Sequence, residues 1–319
     1  MSRRHSMQSL VQQYLNERRR LGFALIIPGT QLMSFARFAD RVGHRGPLTR
    51  QIIVDWAQGQ AKRATYLTWA RRLQRIIPFA RYRAQFDPNT EIPDADIFGP
   101  SSRRLAPHIY TEEEIAELLA AASRLPPRGT LRPATYSTLF GLIAATGLRI
   151  SEALHLQCAD VDLANGTLTV RETKFSKSRL VPLHPTVTKA LMQYANLCEQ
   201  YIPTSPERRF FTLASGLGLV NRTVNQVFER LRKQLGWAAR GGYAMPRIHD
   251  LRHTFICRRV KLWHEQSADI DNAMMALSTY VGHAKVSNTY WYLPGVPELM
   301  AVAGSRFERF ASNLENDLA

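Results

Sequence analysis

The stretch ATGLRISEAL, residues 145–154, decides the reading of this chain. It continues an apolar run, LFGLIAATG (139–147), which suits a buried helix and is far too short to span a membrane. Gly147 breaks that helix. Arg149 therefore falls on the turn that begins the next helix, with Glu152 one helical turn further on. A guanidinium at that place lies near buried structure, where a carboxylate can orient it. A surface arginine in a basic protein has no such setting.

Residues 108–319 read as mostly helical. Thr111 and Glu114 form a capping box that opens a helix running to about Leu125, and a second helix spans about Pro133 to Thr146. NGTLTVRE and RLVPLH, joined by the turn TKFSKS, are the convincing strand pair. Helical patterns return near 185–201, 221–236, 249–264 and 269–281. In the other direction, FDPNTEIPDADIFGPSSRRLAP ends at residue 107, has four prolines and lacks an apolar period, so 87–107 reads as an interdomain linker. Residues 1–86 read as four helices. SLVQQYLNERRRLG stops at Gly22, TQLMSFARFADRVG stops at Gly43, LTRQIIVDWAQG takes Thr49 as N-cap, and ATYLTWARRLQRIIPFARYR completes the set. The last of these puts Leu67, Ala70, Leu73 and Ile77 on one face. The fold class is mainly α with a small antiparallel sheet.

The formal charge of +16 is unevenly placed. Residues 1–86 carry 16 Lys and Arg against Glu17, Asp40 and Asp55, whereas residues 108–319 carry 24 against 19. A solvated helix face mixes both signs, so a module that neutralises backbone phosphates explains the first segment better. Charge alone leaves RNA open as a partner. Anionic membrane is disfavoured, because no helix pairs this charge with a dedicated apolar face. Cys158, Cys198 and Cys257 lie far apart without CxxC spacing, which fits a reducing cytoplasm and neither disulfides nor zinc. Arg3 and Arg4 lack the apolar stretch of a secretory signal.

Two further motifs complete the chemistry: HDLRH (249–253) and VGHAKVSNTYWYL (281–293). A phosphoryl transition state spreads negative charge over non-bridging oxygens, and forked guanidiniums can hold them. Histidines can orient or move protons, and a phenol can attack. No carboxylate cluster suggests a metal site, so Arg149 and Arg252 stand as the fixed cationic donors. HDLRH also mimics the zinc motif HExxH. Asp250 is one methylene short for the usual base, however, no third ligand is evident, and Arg252 beside a metal is unfavourable. His253 is assigned to packing.

In these residues and this order, the chain resembles the tyrosine recombinase (phage integrase) family, in motif detail over roughly 108–310 and in general character over 1–86. The resemblance implies a catalytic set of Arg149, Lys174, His249, Arg252, His283 and Tyr292. Tyr292 is then the nucleophile, Lys174 on the hairpin turn is the general acid, and Glu152 supports Arg149; Lys177 and Arg179 compete with Lys174. Residues 1–86 become a four-helix core-binding domain that clamps DNA, and 108–319 the catalytic domain, with an oligomerisation helix at about 297–314. The implied reaction is site-specific recombination of double-stranded DNA through a 3′-phosphotyrosyl link and a Holliday junction. It needs no cofactor and no metal, and is run by a homotetramer, or with sister recombinases, in the nucleoid of the cytoplasm. A type IB topoisomerase and a catalytically silent DNA-binding accessory are the alternatives. The pattern departs from the family's in one respect: 30 residues separate Arg252 from His283, and TYWYL replaces the usual TxxYxH. That form resembles recombinases borne by transposons and other mobile elements. Tyr290 competes for the nucleophile's place, and the nine-residue step from His283 favours Tyr292.

Overall fold

The computed structural model describes residues 6–59, 65–102, 105–171, 178–266 and 269–292. The chain divides into two compact units, residues 1–104 and 105–319.

The first unit holds four helices: α1 (Met7–Arg20), α2 (Ile26–Arg41), α3 (Arg50–Gln58) and α4 (Tyr66–Ala84). Ser6 and Thr49 cap α1 and α3, each hydroxyl accepting a backbone N–H of the first turn. Val11, Leu15, Phe35, Ile53, Leu73 and Phe79 meet in the core, each 0–1% exposed. Burial of such a side chain contributes about 1.5–3 kcal/mol. The Tyr82 hydroxyl donates to Glu17 at 2.7 Å and ties α4 to α1. The second helix starts four residues before the Thr30 that the sequence pattern marks. Pro28 and Gly29 look like breakers, but they fall in the first turn, where the proline's missing N–H costs no hydrogen bond. The chain enters that turn through Leu25, a left-handed residue with φ 43°.

The second unit is built around α6 (Leu131–Thr146), which buries residues on every side, among them Leu131, Tyr136, Leu139, Phe140 and Ile143. The helix α5 (Glu112–Ala122) packs on it and opens with the Thr111–Glu114 capping box. After α7 (Ile150–His155) come three antiparallel strands in the order β1 (Val161–Asp162), β2 (Thr167–Val170) and β3 (Arg179–Pro182). The sequence pattern shows β2 and β3 alone, because a two-residue strand has no periodicity to detect. Then follow α8 (Pro185–Glu199), α9 (Asn221–Gln234), α10 (Ile248–Glu265), α11 (Ile270–Val281) and α12 (Ser287–Tyr290). The helices α10 and α11 close over a second apolar cluster of Phe255, Ile256, Val260, Met274, Leu277 and Val281, which also takes in Tyr292. No helix among the described residues is long and apolar enough to cross a membrane. Lys174 and the helix expected at about 297–314 lie outside the described residues.

Candidate active site

Two glycine turns make the frame. Gly147 ends α6 at φ 64°, and Gly282 ends α11 at φ 68°; both conformations are left-handed and favour glycine. A side chain would also meet a close neighbour at each. A Cβ at Gly147 would stand 2.5 Å from the Phe255 ring, and one at Gly282 would stand 2.6 Å from the Arg179 guanidinium. The carbonyls at these helix ends carry the partial negative charge of the helix dipole. Arg252 donates to Gly147 O at 2.6 Å and to Val281 O at 2.7 Å. Arg149 donates to Gly282 O at 2.7 Å. Each arginine thus stitches the turn after α6 or the body of α10 to the end of α11, and each is aimed by backbone that cannot rotate away.

The two guanidiniums differ in exposure. Arg252 is 1% exposed, and its pKa falls to about 10 through burial first and then through the nearby Arg149 charge. It remains protonated at neutral pH. The Arg149 side chain keeps a third of its surface in solvent. Glu152 accepts the Arg149 backbone N–H at 2.9 Å and its Nη1 at 2.6 Å. The same carboxylate also accepts from Arg179 Nη2 at 2.9 Å, while Arg179 Nε donates to Tyr280 O at 2.8 Å. Burial works to raise the Glu152 pKa, but the bonds and charges of Arg179 and Arg149 prevail and hold it below the usual carboxylate value. Arg179 is thereby committed to holding Glu152. Strand alternation gives the signal for this: Arg179 lies two residues before the buried Val181 and shares its face. An open groove lined by Arg149, His155, Arg171 and Arg209 leads away from the frame.

Histidines and tyrosine fill the space between the arginines. His283 Nδ1 bonds the Thr289 hydroxyl at 2.7 Å, and its ring lies nearly parallel to that of Tyr292, centroids 6.4 Å apart. Burial, and then the charges of Arg252 and Arg149, push the His283 pKa down to about 3. His249 keeps a solvent-exposed edge although protein atoms crowd the rest of it, and desolvation, followed by Arg252 and Arg247, brings it to about 4. At neutral pH both rings are uncharged, so the positive charge of the site rests on the guanidiniums. Arg149, His249, Arg252, His283 and Tyr292 are brought together here. Tyr290 is only partly buried and packs against the Phe255 cluster, while Tyr292 is 3% exposed.

His253 departs from its assignment to packing. Its Nδ1 lies 2.6 Å from the Tyr292 hydroxyl. The i, i+4 spacing that mimics a zinc motif in HDLRH puts His253 on the face of His249, which is the signal that could have found it. Asp250 is fully buried and taken by Arg247, whose backbone N–H and Nη2 donate to it at 2.8 and 2.6 Å. It is a structural carboxylate, unsuited to the base of a metallohydrolase.

A mainly helical unit with a small antiparallel sheet presents two anchored arginines and three histidines around a tyrosine, a set of groups suited to phosphoryl transfer. The phage integrase family model matches residues 109–295. Over 308 residues the chain is 39% identical to y4rB of Sinorhizobium fredii, whose name assigns it to the integrase/recombinases; the match covers 95% of this chain and 98% of that protein. Among solved structures it is similar to the XerH site-specific recombinase bound to a palindromic difH substrate, with TM-score 0.65 and 18% identity over 94% of this chain and 85% of that one. It is also similar to the Tn1549 transposon integrase in complex with transposon right end DNA, with TM-score 0.65 and 18% identity over 95% and 99%. The chain belongs to the phage integrase family, and its function is that of a site-specific tyrosine recombinase.

Proposed function

We propose that this chain is an active enzyme that cleaves and rejoins double-stranded DNA by transesterification at Tyr292. The observation that carries the reading is the convergence of two backbone-anchored guanidiniums on one buried phenol. Arg149 and Arg252 hold the non-bridging oxygens of the scissile phosphate and offset the charge that develops on them. His283 donates a hydrogen bond to the same phosphate through Nε2, its Nδ1 being held by Thr289. The Tyr292 oxygen attacks phosphorus, the P–O5′ bond breaks, and a 3′-phosphotyrosyl link forms. The departing 5′-oxygen takes a proton from Lys174, with His249 orienting it. The link conserves the phosphodiester bond, so the 5′-hydroxyl of a partner duplex can reverse the step without ATP or a cofactor, through a Holliday junction.

The basic residues 1–86 clamp the duplex, and residues 108–319 carry the chemistry. The segment at about 297–314 joins protomers into a tetramer on synapsed DNA in the nucleoid. The test is a nicked suicide duplex carrying the end sequence of the DNA segment that flanks the gene. A covalent adduct mapped by peptide sequencing to Tyr292 is expected. An adduct on Tyr290, or no adduct on any flanking sequence, overturns the reading. Relaxation of supercoils without strand exchange would mark a topoisomerase instead.

A further inference from the structure

We infer that His253 is the proton acceptor for the Tyr292 hydroxyl, a catalytic residue in addition to the two arginines, two histidines and lysine assigned above. The inference rests on Tyr292 being the nucleophile.

A phenol is a poor nucleophile while it keeps its proton, since its ordinary pKa is near 10. Some group must receive that proton as the oxygen attacks. His253 Nδ1 stands 2.6 Å from the hydroxyl, and the two ring centroids are 5.4 Å apart, so the acceptor is already in hydrogen-bond contact before any substrate arrives. His249, by contrast, is the T-shaped neighbour of His253 at 4.6 Å, one helical turn earlier on α10. That arrangement leaves His249 for the leaving group and gives His253 the nucleophile. Tyr292 is 3% exposed, so bulk water has little access to its proton.

The charged and titratable groups facing His253 come from three places. Arg247, His249 and Arg252 lie at the start of α10, His283 lies on the turn after α11, and Tyr292 follows α12. Burial first, and then His249, Arg247 and Arg252, drive the His253 pKa down to about 2. The ring is therefore neutral and able to accept the phenol O–H. It is also a weak base until negative charge enters the site. A phosphodiester held by Arg149 and Arg252 supplies that charge and offsets the guanidiniums that depress His253. Base strength thus rises when substrate is bound, which keeps the tyrosine protonated and unreactive otherwise.

The step balances. The Tyr292 oxygen forms its bond to phosphorus, the P–O5′ bond breaks, the phenolic proton moves to His253 Nδ1, and the 5′-oxygen receives a separate proton from Lys174. On rejoining, the attacking 5′-hydroxyl forms a new bond to phosphorus and gives its proton to Lys174, the P–O bond to Tyr292 breaks, and His253 returns its proton to the phenol.

The experiment measures single-turnover cleavage of the nicked duplex by full-length His253→Ala and His253→Asn, from pH 6.5 to 9. An asparagine Oδ1 can occupy the Nδ1 position and hold the hydroxyl, but it cannot take a proton. His253→Ala is expected to bind the duplex normally and to cleave on the order of 100-fold more slowly at pH 7, the usual effect of losing a general base. Its rate should climb about tenfold per pH unit, as hydroxide replaces the missing base. His253→Asn should be slowed as well, with the same slope, and serves alone if the alanine variant does not fold. Wild-type rate and wild-type pH profile in His253→Asn would overturn the inference. Mapping the wild-type adduct separates the two failures: an adduct away from Tyr292 refutes the nucleophile, whereas an adduct on Tyr292 with indifferent His253 variants refutes only the acceptor.

Discussion

Residues 1–86 carry 16 Lys and Arg against three acids, and no described arginine among them is buried. Residues 108–319 are far closer to neutral, yet they hold Arg252 at 1% exposure, bonded to two backbone carbonyls. The same residue type therefore works in two ways. Exposed charges act as a sum, are screened by salt, and are individually replaceable. A buried guanidinium acts by position, and nothing nearby can take over from it. The first arrangement suits non-specific grip on a polyanion, and the second suits a transition state.

The two kinds of residue differ most at the nucleophile. Tyr292→Phe removes one oxygen from the buried site, so DNA binding should persist while the covalent adduct disappears altogether; a gel-shift beside a denaturing gel reads both. Tyr290→Phe should still cleave. If Tyr292→Phe lost binding as well, the two units would not divide the work as argued.

Next in size is Arg252→Lys. It keeps the charge but cannot span Gly147 O and Val281 O with a planar fork. Cleavage should fall roughly 100-fold or more, the effect of losing one preorganised donor. The corresponding Arg18→Lys or Arg71→Lys in the first unit should change neither cleavage nor affinity measurably. Equal effects in both units would erase the distinction.

A smaller effect tests the frame itself. Gly147→Ala sets a Cβ against Phe255 in a left-handed turn. Stability should drop by more than about 1 kcal/mol, read as a lower denaturant midpoint. Gly22 also has a positive φ, 86°, but a Cβ there would meet nothing within 4 Å. Gly22→Ala should cost less, and the difference measures the packing around the site.

The least effect per residue belongs to the surface charges. Each exposed arginine in residues 1–86 that contacts a phosphate should lower the magnitude of the slope of log K against log salt by about 0.9 when changed to glutamine. Titrating affinity against sodium chloride checks this. An unchanged slope after several such changes would mean that this charge faces solvent.

Much of this molecule follows from its sequence alone. The Thr111–Glu114 capping box, the apolar period of α4, the glycine after α6 and the basic excess of residues 1–86 are local properties. Each is set by neighbours within a turn or two or by simple composition. The candidate site was legible through short motifs: Arg149, His249, Arg252, His283 and Tyr292, expected together from the family resemblance, lie near one another in the second unit. Local rules failed where the partner is distant. The second helix began early because Pro28 is harmless in a first turn, and β1 exists only because β2 pairs with it.

Tertiary structure alone decided what the side chains touch. His253 and Tyr292 are 39 positions apart, and Arg179 is 27 from Glu152. Arg252 reaches a carbonyl 105 positions before it. No spacing rule specifies such pairs, because they depend on how α10 rolls against α6 and α11 once their apolar faces are buried. The sequence determined which groups are present and on which helix face they lie. Packing determined which of two histidines, four residues apart on one face, meets the phenol.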